Sequence, residues 1–285
     1  MKMLSEGENA ARGDLEESNQ TSSEAQDWPL YNARDHDQKF SPLDYLNDFY
    51  STAKEDVAMQ IVLFFLPGIL YRLPSNKIET VLDLGSGPTI HASLVMRNRA
   101  SNLFCSDYAE VNQETLTNWI KNQSSFDWKN VCEWIGGIEA TQETAQQMED
   151  NTRQKMRAVL NVDVHKQPVI QSVHYKVNES IQIPTEFDVV ITIFCLEYAS
   201  ETLDEYRQAV RNATTLIKPG GFLVQGGVLE ANEYGFSGRR FKSCFIRKED
   251  VLEALKESGL ETTEGAGGFH FITHDEIFLL ISKKL

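Results

Sequence analysis

From Glu79 onward, short apolar and β-branched runs alternate with segments whose apolar residues recur at helical spacing, and this alternation restricts the chain more than any other feature. Residues 80–84, 103–106, 158–162, 187–194, 222–225 and 277–282 read as strands. Between them, Leu116, Trp119 and Ile120 mark one helix face, and 143–156 is polar and helical. A further helix carries Leu203, Tyr206, Val210, Ala213, Leu216 and Ile217 and stops at Lys218-Pro219-Gly220-Gly221. The last carries Val251, Leu252 and Leu255 and closes at Gly259. Strands and helices taken in turn predict an α/β fold, a mostly parallel sheet with helices on both faces. A chain of 285 residues is long enough for one large domain of this kind.

Ahead of that core, residues 1–27 are polar and acidic and predict a disordered tail. Residues 28–285 read as a single domain, with 28–78 forming a helical cap over a core at 79–285. In the cap, Phe40, Tyr45, Leu46, Phe49 and Tyr50 sit at helical spacing. A second helix carries Val57, Ile61, Phe64 and Phe65 and is expected to stop near Pro67 and Gly68. The most apolar run, 61–73, contains Pro67, Gly68 and Arg72 and falls short of the ~20 apolar residues a bilayer needs. With no apolar leader at the N-terminus, the expected location is the cytoplasm. Acidic residues outnumber basic ones 42 to 27, which argues against nucleic acid or an anionic membrane as partner. Cys105, Cys132, Cys195 and Cys244 show neither metal nor redox spacing, so no metal is expected and the thiols read as reduced and buried. A monomer is the expected state.

Ligands of such a sheet lie outside the carboxyl ends of its strands, near the switch in strand order. The first core strand runs into Gly85-Ser86-Gly87-Pro88-Thr89-Ile90, where two glycines permit a tight turn and a close backbone approach. A dinucleotide loop would have a third glycine where Ile90 stands, and no Walker A lysine follows. Asp107 comes 20 residues after Gly87, at the end of the second strand, where a carboxylate can accept from both hydroxyls of a ribose. Asp163-Val164 ends a third strand, where an acid can accept from an adenine amine while the valine packs on the ring. One acid at a strand end is ordinarily a solvated turn residue. Asp83, Asp107 and Asp163 at successive strands are not so easily explained.

On these residues, and on Phe40-Ser41-Pro42-Leu43-Asp44-Tyr45-Leu46-Asn47-Asp48-Phe49-Tyr50, the chain resembles the small-molecule amine N-methyltransferases that act on nicotinamide, phenylethanolamine and indolethylamine. Asp107-Tyr108 with Asn112, Phe126-Asp127-Trp128 and Cys195-Leu196-Glu197 belong to the same resemblance, which runs from about Phe40 to the C-terminus. It implies a Rossmann-like class I methyltransferase using S-adenosylmethionine, with S-adenosylhomocysteine as product. It implies that Tyr45 and Tyr50 close over the donor and that Gly85, Ser86, Gly87 and Thr89 lie against its methionine part. Asp107, with Tyr108 and Asn112, would hold the ribose, Asp163 and Val164 the adenine, and Ile193 would touch the donor. Relatives often carry Tyr where this chain has His91, which is expected to reach the donor's carboxylate instead.

Methyl transfer from a sulfonium is a direct displacement, so alignment and exclusion of water carry the catalysis. The acceptor is a small-molecule amine or a pyridine. An aliphatic amine must first lose a proton, and Glu197, at the end of an apolar strand, is the candidate to take it. The resemblance places further acceptor contacts at Glu230, Asn232 and Tyr234, after the next strand; His270, His274 and Asp275 precede the last one. Nicotinamide enzymes keep an acid where this chain has Gly227, which favours an amine over a pyridine. The rival readings are an NAD-dependent oxidoreductase, opposed by Ile90 and Asp83, and a non-catalytic donor-binding protein, opposed by the completeness of the donor motifs.

Overall fold

The computed structural model describes residues 28–51, 57–74, 78–265 and 267–285; the acidic segment 1–27, expected to be disordered, lies outside them. The N-terminal region supplies β1 (Leu30–Tyr31), a 3-10 turn at Ala33–Asp35, α1 (His36–Lys39), α2 (Pro42–Leu46), a π-helical turn at Asn47–Ser51 and α3 (Val57–Leu70). Next come β2 (Thr80–Leu84), α4 (His91–Met96), β3 (Asn102–Asp107), α5 (Glu110–Ile120), α6 (Lys129–Glu139), α7 (Ala145–Lys155), β4 (Met156–Val162), β5 (Ile170–Lys176) and β6 (Phe187–Ile193). The C-terminal part adds α8 (Leu203–Thr215), β7 (Ile217–Val228), β8 (Glu233–Phe236), β9 (Arg239–Lys242), α9 (Lys248–Glu257), β10 (Phe269–His274) and β11 (Ile277–Lys283).

Eight of the strands make one sheet in the order β10-β11-β7-β6-β2-β3-β4-β5. Its centre, β7-β6-β2-β3-β4, is parallel throughout. Both edges are antiparallel, through β5 on one side and β11 with β10 on the other. The central strands are apolar along their length because both faces are covered. Val81, Leu103, Cys105, Val159, Val189 and Ile191 point into one core, with α3 to α7 and part of the cap. Leu82, Leu84, Phe104, Ala158, Leu160 and Val190 point into the other, with α8 and α9. A leucine fully buried this way contributes about 1.5–3 kcal/mol relative to exposure. From β2 the chain builds outward through β3 and β4, then crosses back to lay β6 on the opposite side of β2. The crevice at that switch, at the carboxyl ends, is where this architecture takes ligands.

A smaller sheet, β1-β9-β8, pairs the N-terminal segment in parallel with β9, Leu30 opposite Arg240 and Tyr31 opposite Phe241. Two elements differ from the sequence expectation. Helix α3 runs through Pro67 to Leu70, since Ile69 and Leu70 in its last turn are buried in the core. The Lys218-Pro219-Gly220-Gly221 stretch lies within β7. Ile217 pairs with Phe187 and Phe222 with Val189, so the residues between bulge outward, with Gly220 at φ +75. Helix α8 accordingly ends at Thr215, before that stretch.

Candidate active site

The crevice opens into a cavity of about 320 Å³ lined by the turn after β2, the ends of β3, β4 and β6, and residues of the cap. Gly85 and Gly87 both have positive φ, +66 and +60. A Cβ at Gly85 would lie 2.1 Å from the Cys195 Sγ, so only glycine lets the turn and the end of β6 approach this closely. The turn is braced from below: the Thr89 hydroxyl donates to the Ser86 carbonyl at 2.8 Å, and the Ser86 hydroxyl to the Ser106 carbonyl at 3.2 Å. Gly87 N–H donates to Asp107 Oδ2 at 2.8 Å. Asp107 Oδ1 accepts from Ala109 N–H and Asn112 Nδ2, both at 2.9 Å. Burial holds the Asp107 carboxyl above the usual carboxylate range, opposed by these hydrogen bonds.

Asp163 accepts from His165 N–H at 3.0 Å and pairs with Lys166 at 3.0 Å, while Val164 is buried beside it. With Tyr108, Asn112 and Ile193, these residues line the cavity. Asp83 lies inside β2 and does not line the cavity. Its Oδ2 has no partner among the described residues, and burial, with Asp107 nearby, pushes its carboxyl up to about 8.

The cap closes the cavity from above. Tyr45 and Tyr50 line it, and the Tyr50 hydroxyl lies 3.1 Å from His91 Nδ1. His91 Nε2 is buried without a partner among the described residues, and burial pushes the imidazole down to about 4, so it is neutral at physiological pH. His36 also lines the cavity. Its Nδ1 lies 2.5 Å from the Ala33 carbonyl, a pure acceptor, so Nδ1 carries the hydrogen and Nε2 accepts from the Tyr234 hydroxyl at 2.6 Å. Burial pushes this imidazole down to about 4 as well.

The expected acceptor residues part company. Tyr234 lines the cavity; Glu230 and Asn232 are exposed and do not. His270, His274 and Asp275 are likewise outside the lining. Glu197 is fully buried and is not in the lining either, although Cys195 and Tyr198 on either side of it are. Its Oε1 accepts from Val228 N–H at 3.2 Å, Oε2 has no partner among the described residues, and burial pushes the carboxyl up to about 8. A Cβ at Gly227 would lie 2.5 Å from Glu197 Oε1. The carboxyl of Glu197 therefore occupies the space into which a side chain at 227 would project.

Sequence reasoning passed over His36, Phe40, Phe194 and Tyr198, all of which line the cavity. His36 and Tyr234 are separated by 198 residues, and no spacing signal joins them. The end of the cavity formed by Gly85, Gly87, His91, Asp107 and Asn112 fits an S-adenosyl group. It offers a glycine turn open to close approach, a buried acid between strand ends, and two buried polar atoms without partners among the described residues, His91 Nε2 and Asn112 Oδ1.

A family model described as NNMT/PNMT/TEMT matches residues 29–285. The chain is 56% identical to a nicotinamide N-methyltransferase of Caenorhabditis elegans over 253 residues, 89% of this chain and 92% of that protein. It is 28% identical to an indolethylamine N-methyltransferase of Mus musculus over 88% of this chain and 95% of that one. It is 28% identical to a phenylethanolamine N-methyltransferase of Macaca mulatta over 80% of each. Among solved structures, the magnesium protoporphyrin IX methyltransferase of Synechocystis with bound SAH aligns at TM-score 0.54 and 11% identity, covering 88% of this chain and 97% of that one. The [4+2]-cyclase SpnF aligns at TM-score 0.54 and 14% identity, covering 90% and 98%. At such identity the structural likeness is one of fold, and a cyclase among the neighbours shows how little fold alone fixes chemistry.

Proposed function

The chain belongs to the NNMT/PNMT/TEMT family, and on that footing we propose how its cavity is used. It is an S-adenosylmethionine-dependent N-methyltransferase of small molecules. When bound, the donor would supply a methyl group carried on a sulfonium: the acceptor nitrogen would bond to the methyl carbon as the C–S electron pair leaves with the thioether, S-adenosylhomocysteine. Gly85 and Gly87 give the donor a close-packed backbone bed. Asp107 and Asn112 hold its ribose, Asp163 and Val164 its adenine, and His91 Nε2 meets its carboxylate. Tyr45 and Tyr50 close over it and keep water from the reacting atoms.

We read the acceptor as a flat nitrogen heteroaromatic of the nicotinamide kind. The observation that carries this is the Glu197 carboxyl in the space of a 227 side chain. The glycine at 227 makes room for an acid from the neighbouring strand end, which packs just behind the cavity wall. Pushed up to about 8, that carboxyl is mostly protonated at neutral pH; it lies behind the cavity wall, and it would donate to an amide carbonyl once a bound acceptor opens the wall between Cys195 and Tyr198. A neutral acid is a poor partner for an ammonium ion. The ring nitrogen of a pyridine that bears a carboxamide on carbon is unprotonated there and needs no base. The 56% identity to a nicotinamide N-methyltransferase supports the same reading.

The test compares kcat/KM for nicotinamide with that for phenylethanolamine and an indolethylamine, in the native enzyme and in Glu197→Gln. Glutamine keeps a donor, so turnover of nicotinamide should fall by less than about tenfold. Were Glu197 the proton acceptor for an amine, the same change would cost roughly 10²–10⁴-fold on that amine. A native enzyme that prefers the amines, with a loss of that size in the variant, would establish the amine reading instead.

A further inference from the structure

Three rings in the acceptor half of the cavity lie in nearly parallel planes. Tyr198 stacks on Tyr234 with centroids 4.0 Å apart and planes 14° apart, and faces Phe194 at 6.1 Å and 17°. All three line the cavity. The two partners of Tyr198 are held from behind. Phe194 sits at φ +53, a conformation that a residue with a side chain keeps only where its surroundings impose it, and its N–H donates to the Gly226 carbonyl at 2.9 Å. Tyr234 is in β8, with its hydroxyl bound to His36 and its ring against Phe236 and Phe241. Tyr198 belongs to the irregular turn between β6 and α8.

We propose that Tyr198 is a plug in the acceptor slot. Without an acceptor its ring takes the stacking position that a flat acceptor occupies, and it rotates aside when the acceptor enters. The inference rests on the reading of the acceptor as a flat heteroaromatic. Face-to-face contact at 4.0 Å leaves no space for a second ring between Tyr198 and Tyr234, since one aromatic layer already fills that distance. A guest must therefore displace Tyr198 or stay out. Its apparent affinity is lowered by the fraction of molecules in which the slot is open. The competition also sets specificity: a planar guest regains the stacking given up by Tyr198, and a non-planar one does not.

The prediction is a change of sign from that of an ordinary wall residue. Quinoline, a planar heteroaromatic, is titrated calorimetrically into protein saturated with S-adenosylhomocysteine. Tyr198→Ala should bind it at least threefold more tightly than the native protein, with the affinity for S-adenosylhomocysteine within twofold of native. Equal or weaker quinoline binding would mean that Tyr198 is a fixed wall, and would overturn the plug. Tyr198→Leu, which keeps bulk without a flat face, should move affinity the same way and serves if the alanine variant does not fold. The two readings fail separately. Tightening in an enzyme that methylates no pyridine would sink the acceptor assignment and leave the plug; no tightening in one that methylates nicotinamide would sink the plug alone.

Discussion

Asp107 receives hydrogen bonds from Gly87 N–H, Ala109 N–H and Asn112 before any ligand arrives. It therefore ties the glycine turn to the start of α5, in addition to its proposed role at the ribose. Asp107→Ala removes charge-assisted hydrogen bonds worth roughly 1.5–3 kcal/mol each and also releases the turn. Calorimetry should show the affinity for S-adenosylmethionine falling by at least tenfold, with a lower Tm in the unliganded protein. A folded variant with native affinity would place the ribose elsewhere. The sequence made this acid legible because strand, turn and acid are close along the chain, and strand ends are where such a sheet takes ligands. It did not make Tyr198 or His36 legible. Their partners are brought to them by the cap and by β8, and nothing local in either segment reports that. Glu197 was readable as an acid beyond a buried strand, but not its direction. Which way it turns is decided by Gly227 on the neighbouring strand, and a missing side chain there carries no signal of its own.

At the level of elements, the long buried strands and amphipathic α8 were plain from apolar period, and their bounds agree within a residue or two except for β7, which starts five residues before and ends three residues after the expected 222–225. Several elements that sequence reasoning passed over carry weak local signals, each for its own reason. Helix α6 contains Gly136 and Gly137, which lower its propensity and blur its pattern. Strand β5 is a largely exposed edge with no apolar run. Strands β8 and β9 form a hairpin of two four-residue strands whose apolar side chains face the cap rather than the main sheet. Cap and hairpin are fastened by Arg239 to Asp44 at 2.9 Å, Ser237 to Asp48, and Arg240 to the Trp28 carbonyl at 3.1 Å. Deleting residues 1–27 should leave turnover unchanged. Deleting 1–35 also takes β1, the Ala33 N–H bond to Glu201 and the carbonyl that orients His36. That deletion should lower kcat/KM at least tenfold with little change in Tm, because the eight-stranded core is untouched. Equal activity of the two truncations, measured side by side, would remove the N-terminal strap from the site.

For the whole molecule, buried ionisable groups set how stability follows pH. Asp83 and Glu197 hold their protons up to about 8, while the unfolded chain loses them near 4. Their contribution is present below about 4 and is lost as pH rises to about 8. His36 and His91 are pushed down to about 4 from an unfolded value near 6.5, so theirs is present above 6.5 and lost as pH falls to about 4. Between about 4 and 6.5 the two pairs oppose each other. Above 6.5 only the acids act, and Tm of the unliganded protein should fall from pH 6.5 to 8, with Asp83→Asn removing about half of the slope. A Tm that is flat over that interval would show that these carboxyls ionise normally. The fastening of cap to hairpin has a different consequence. Tyr45 and Tyr50, proposed to cover the donor, and Tyr234, proposed to face the acceptor, ride on segments joined by the same few contacts. Choice of acceptor and retention of donor are thereby geared together. A lineage, or an engineer, that reshapes the hairpin for a new acceptor shifts the hold on the donor with the same substitution, and the two traits are not free to evolve apart.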